Sequence, residues 1–118
     1  MALVTPDQKG EILMLQYIVG LVDAGNPVLH LYGNDVTPTD SSVIGDLTEC
    51  TSSGYAAITL VSSNWTTTQN AGVTTAVYSE KTFSFNTAAT AYGYYVTDTS
   101  GNLLWLERFS GAPFDIPD

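Results

Sequence analysis

Hydrophobic positions follow one rhythm near the N-terminus and another after it. Residues Ile12 to Val19 read Ile-Leu-Met-Leu-Gln-Tyr-Ile-Val, apolar at nearly every position. A start signal precedes this run. Thr5 can accept at an N-cap, Pro6 suits the first helical position, and Gln8 completes a capping box. Asp7 and Glu11 would sit near the positive end of the helix dipole. The pattern predicts a helix to about Val19 that stops near Gly20. Apolar on nearly all sides, it is expected to be buried. Periodicity alone also allows a buried strand, and the cap signals favour the helix.

After the turn Asp23-Ala-Gly-Asn-Pro the rhythm changes to short β-like segments. Val28 to Tyr32 predicts a first strand and Leu47 to Cys50 a short one. Tyr55 to Val61 predicts a core strand, with further strands at Trp65 to Thr68, Thr74 to Tyr78 and Glu80 to Phe85. In the last of these Phe83 and Phe85 share one face and Ser84 takes the other. Gln69 to Gly72 is expected to turn.

The strongest signal lies between Ala91 and Phe109. Aromatic and β-branched residues flank Thr99-Ser100-Gly101, the sequence form of a β-hairpin with Gly101 at a left-handed position. The expected register sets Val96 opposite Leu104 and Tyr94 opposite Leu106. The other face then pairs Thr97 with Leu103 and Tyr95 with Trp105. A slip of one residue would exchange the faces of one strand.

One N-terminal helix and seven or eight short strands predict a mainly β fold, a β-sandwich or jelly-roll-like arrangement with a short N-terminal helix. The chain of 118 residues fits one domain. Residues 1–22 form an N-terminal arm and helix, 28–110 the β-sandwich and 111–118 a tail. The tail carries Pro113 and Pro117 and is not expected to be a central strand.

Composition then removes whole classes of function. Lys plus Arg number 3 against 12 acidic residues, a formal net charge of −9. Nucleic acid and anionic membrane surfaces both need cations that are scarce here, whereas a basic protein surface is a compatible partner. The apolar run Ile12 to Val22 is too short to span a bilayer. Lys9 and Glu11, without a basic n-region, do not make a secretory signal.

Candidate chemistry is equally sparse. Cys50 is the single cysteine, so no internal disulfide forms, and it reads as a small packing residue. His30 is the single histidine and has no companion at metal-ligand spacing. Asp35, Asp40 and Asp46 lie in a turn-rich connection that matches no EF-hand loop. No Gly-x-Ser-x-Gly elbow or phosphate-cradling glycine loop is present. The expectation is a protein without enzymatic activity, cofactor or metal.

A sheet with one wet face alternates apolar with polar, but both faces of the Ala91–Phe109 hairpin are apolar. One face belongs on the core. The other must meet a second layer of the same chain or another chain. Tyr95 and Trp105 are therefore candidate interface residues. Further candidates lie in the segments 2–7, 35–46 and 113–118, namely Val4, Val36, Pro38 and Phe114.

Several stretches in order carry a resemblance. They are Val4-Thr-Pro with Gly10-Glu-Ile-Leu; Leu31-Tyr-Gly-Asn-Asp-Val-Thr-Pro; Gly54-Tyr-Ala-Ala-Ile-Thr-Leu; Tyr92-Gly-Tyr-Tyr-Val-Thr; and Leu104-Trp-Leu-Glu-Arg-Phe. Together they cover most of the chain, which resembles small β-sandwich virion structural proteins of tailed bacteriophages. The resemblance implies a capsid decoration or cement protein that binds the major capsid protein, forms a homotrimer and resides in the virion after assembly in the host cytoplasm. A tail, baseplate or fibre-associated subunit has the same composition. A glycan-binding module that uses Trp65 or Trp105 is the remaining alternative.

Overall fold

The structure, a computed structural model, describes residues 3–118. Its centre is a four-stranded antiparallel sheet built from β1 (Val28–Tyr32), β2 (Ile58–Thr59), β6 (Gly93–Thr97) and β7 (Leu103–Arg108), in the order β2-β1-β6-β7. Two small two-stranded sheets accompany it. One pairs β3 (Trp65–Asn70) with β4 (Val73–Tyr78), and the other pairs β5 (Ala89–Ala91) with β8 (Phe114–Ile116). The fold is mainly β with one short helix, α1 (Gly10–Ile18).

The hairpin of β6 and β7 forms where the sequence places it, with Gly101 at φ 86°. Asp98 organises its loop: the carboxylate accepts the backbone N–H groups of Ser100 and Asn102, each at 2.9 Å. Thr97 does face Leu103. Beyond that pair the register departs from the expectation. A bulge leaves Leu104 as an extra residue, so Val96 faces Trp105, Tyr95 faces Leu106 and Tyr94 faces Glu107. Trp105 thus shares a face with Tyr94 and Val96, and Tyr95 points the other way.

The two sheet faces carry different covers. On one, buried Tyr32, Tyr95, Leu103 and Leu106 pack beneath Val4, Val36, Leu47 and Tyr92. Arg108 anchors the long loop on that side. Its guanidinium donates to Asp35 Oδ1 at 2.6 Å and to the Val36 carbonyl at 3.1 Å, and lies over the Tyr92 ring. On the other face, Val96 and Leu104 meet Leu13 of α1, while Leu31, Cys50 and Ala91 pack with Tyr55, Phe83, Phe85 and Phe109.

Several sequence expectations fail for tertiary reasons. The helix does not start at Thr5. Val4 is drawn into an antiparallel bridge with Leu106, its N–H and carbonyl bonding at 2.8 and 2.9 Å. Residues 7–9 then turn, and α1 begins at Gly10 with no side-chain cap. Gly10 is required there, because a Cβ would overlap the Leu104 carbonyl of β7. The C-terminal end behaves as expected: Gly20 has φ 78°, and the Leu21 and Gly20 N–H groups bond back to the Gln16 and Tyr17 carbonyls, a Schellman stop. Likewise, Glu80 to Phe85 forms no strand. Its backbone finds no ladder, although Phe83 and Phe85 do share a side, both stacked on Tyr55 at 5.7 and 5.8 Å. The core strand expected over Tyr55–Val61 shrinks to Ile58–Thr59.

Candidate interaction surface

The expected burial of α1 on all sides does not occur. Only Gly10 and Leu13 are buried. Ile12, Leu15, Ile18 and Val19, followed by Leu21, are between 50% and 80% exposed. Spaced by three and four residues, they form one outward stripe. Its apolar area is on the order of 500 Å², at the upper end of what a monomer ordinarily leaves in water. A helix nine residues long has one side for the sheet, and among the described residues no second layer covers the other.

A second uncovered surface lies beside α1 on the same face of the main sheet. Leu29, Trp65, Tyr78, Tyr94 and Trp105 line an apolar groove of ≈ 280 Å³. It adjoins a further ≈ 290 Å³ between Leu31, Phe83 and Phe109, since Leu29 and Tyr94 line both. Trp65 and Tyr78 meet edge to face at 5.0 Å at the base of the β3–β4 hairpin. Glu80 and Lys81 stand at the rim, with Lys81 Nζ 5.9 Å above the Tyr78 ring. Burial, helped by a 3.0 Å hydrogen bond donated to Glu107, pushes the Tyr94 hydroxyl up to about 12. That hydroxyl is therefore a neutral donor throughout the physiological range.

The sequence candidates are dispersed. Tyr95 is 5% exposed and belongs to the core; it offers no contact surface. Its face of the sheet is the one covered by Val4, Val36, Leu47 and Tyr92, while the bulge in β7 turns Trp105 to the opposite face, beside Tyr94 and Val96. Val4 and Val36 are half-buried over the opposite face, and Pro38 is half-buried in the loop. Phe114 on β8 is 51% exposed and packs edge to face on Phe109. Of the candidate arm 2–7, Ala2 lies outside the described residues.

Sequence reasoning also missed a polar network around His30. Glu49 Oε2 lies 2.8 Å from His30 Nδ1 and accepts the Tyr55 hydroxyl at 2.8 Å. Thr97 Oγ1 lies 2.9 Å from Nε2, and the Tyr95 ring stacks on the imidazole at 4.5 Å. The Tyr55 hydroxyl in turn accepts the Leu31 N–H at 3.0 Å. Carboxylate, imidazole and hydroxyl in that order resemble a hydrolytic relay. Thr97, however, is only 4% exposed and sits within β6, where no substrate reaches its oxygen. The network instead ties β1, β6 and the segment 49–55 together.

Burial pushes the Cys50 thiol up, with Glu49 adding to the effect, the reverse of an activated nucleophile. A wider depression of ≈ 560 Å³ between residues 48–52 and the β5–β8 pair is lined by Glu49 and Asp115 and by no Lys, Arg or His. Among the described residues no group of three or more His, Cys, Asp or Glu side chains could hold a metal, and no helix is long and apolar enough to cross a membrane. No protein-family model matches the chain, and no curated protein or solved structure matches it significantly.

Proposed function

We propose that this chain is a non-catalytic structural subunit of a tailed-phage virion, a capsid decoration or cement protein that binds the outer shell. The observation that carries this reading is the bare apolar stripe of Ile12, Leu15, Ile18, Val19 and Leu21. A surface of that kind becomes stable once another protein covers it. The sequence resemblance supplies the partners, the major capsid protein and further copies of the chain in a homotrimer. In this reading the β-sandwich or jelly-roll-like core is completed at its thinly covered face by a neighbouring subunit.

Magnitudes favour a lattice over a single tight contact. Covering about 500 Å² of apolar surface is worth ~12 kcal/mol gross at ~25 cal/mol per Å². Loss of translational and rotational freedom offsets ~4–15 kcal/mol of that. Towards the upper end of that cost, one copy on one site is held weakly. Contacts repeated over a shell raise the effective concentration and make the sum strong.

The test is to add purified protein to capsids that lack it, then measure co-sedimentation and survival of heat or osmotic shock. The expected outcome is binding with protection, lost in the Leu15→Glu/Ile18→Glu variant, whose exposed sites leave the fold intact. Neither binding nor protection by the parent protein would sink the reading. Binding at the tail, seen by labelling, would move the protein to the baseplate or fibre.

A second reading rests on the groove. Trp65, Tyr78, Tyr94 and Trp105 around one opening are the side chains on which sugar rings stack, with Glu80 and Lys81 as rim hydrogen-bonding groups. Sugar-dependent quenching of Trp65 or Trp105 fluorescence supports a glycan-binding module; silence across a glycan array removes it.

A further inference from the structure

The β3–β4 hairpin is an arm along which no described residue packs. Apart from Trp65 and Tyr78 at its base, every residue of both strands is exposed. Two-stranded ribbons are marginal in water by themselves. Natural proteins guard free strand edges with charges, prolines or bulges. None is present here. The register from Trp65↔Tyr78 to Asn70↔Val73 runs without a shift, and no charged residue lies between Glu49 and Glu80.

From this we infer that β4 pairs with β4 of a second copy of this chain, antiparallel about Thr75, so that two arms form a four-stranded sheet between molecules. The sequence Val73-Thr-Thr-Ala-Val77 is nearly palindromic about that residue. Pairing there places Val73 opposite the other copy's Val77, and Thr75 opposite Thr75. Val73, Thr75 and Val77 share one face, by the period of two. The two valines are now 63% and 55% exposed and would cover each other. Thr–Thr and β-branched pairs are favourable cross-strand neighbours.

Charge does not prevent this pairing. Two bodies of net charge −9 repel wherever their acidic surfaces meet. The arm is the uncharged element that projects, so it lets them join with the least repulsion. An isologous contact of this kind closes as a pair.

The contact is small. Two paired six-residue strands bury on the order of 600 Å² in total, below a standard interface. The free pair is therefore weak and gains strength where other contacts hold copies in place. The inference goes beyond the virion reading and does not depend on it, because its test needs only the isolated chain.

Thr75→Cys should trap the pair as a disulfide, since residues directly opposite on antiparallel strands have Cα atoms ~4.5–5.5 Å apart. Mild oxidation is expected to give roughly tenfold more covalent dimer than an exposed Ser110→Cys control, because the paired thiols lie within bonding reach. The parent chain, whose Cys50 is buried, gives the background. Adding Val73→Lys and Val77→Lys to Thr75→Cys should return the yield to the control level. A Thr75→Cys yield no higher than the control, or a yield that the lysines leave unchanged, overturns the inference. Absence of capsid binding by the parent chain, with this dimer still formed, would count against the virion reading alone.

Discussion

Replacing Gly93 by alanine places a methyl group where the Tyr32 ring already lies. The new Cβ would overlap the Glu107 carbonyl and stand 2.5 Å from the Tyr32 hydroxyl and 2.6 Å from Cε1. Tyr32 is fully buried, and its hydroxyl donates to the Val36 carbonyl at 3.1 Å. To admit the methyl the ring must move and that bond must break. Overpacking costs ~2 kcal/mol. A buried hydroxyl without its partner costs ~2 kcal/mol more. The lower backbone entropy of alanine in the unfolded chain returns ~0.5 kcal/mol. The net loss is about 3.5 kcal/mol, a fall in Tm of roughly 14 °C at ~4 °C per kcal/mol for a chain of this length. Urea and thermal unfolding followed by near-ultraviolet circular dichroism measure it. Gly45→Ala, which meets nothing within 4 Å, is the control and should stay within about 0.5 kcal/mol of the parent. A loss below about 1 kcal/mol for Gly93→Ala would show that Tyr32 does not pack over β6 as described.

Two further outcomes follow from the hairpins. Burial raises the Asp98 carboxyl, but hydrogen bonds from Asn102, Ser100 and Tyr17 outweigh it and hold the group below its ordinary value of 3.8. The stability it contributes is thus present above about pH 3.9, the unfolded value, and disappears as pH falls through the depressed folded value. Asp98→Ala should destabilise at neutral pH, and the difference from the parent should shrink towards zero below that folded value, read by urea unfolding across pH. In the other hairpin, Ala71 holds φ 51° beside Gly72 at φ 81°, a conformation that favours Asn-Gly. Ala71→Asn should stabilise the arm by about 0.5–1 kcal/mol, a two- to five-fold slowing of amide exchange at its strands; no slowing would place the turn elsewhere.

What could be read from sequence was what neighbouring residues decide among themselves. The Gly101 turn, the Gly20 stop, β1 and the β3–β4 hairpin all rest on local torsion preferences and short periodicities. The start of α1 could not be read that way, because the bridge between Val4 and Leu106 joins residues far apart in the chain and overrides a good capping signal. Nor could the face of Trp105. One extra residue at the β7 bulge turns it from the side of Tyr95 to that of Tyr94, and no local signal announces it. His30 looked isolated because its partners come from two distant stretches, Glu49 and Tyr55 from the segment 49–55 and Thr97 from β6.

Local sequence carried a mainly β chain, acidic and almost without cations, with apolar residues on both faces of its strongest hairpin. Packing alone settled which apolar side chains stay uncovered: those on the outer side of α1 and along the groove from Trp65 to Phe109, with Tyr95 sealed inside. Apolar burial is non-directional and proportional to area. Composition fixes how much there is to cover, and strand register and helix docking choose which side chains are left for another molecule.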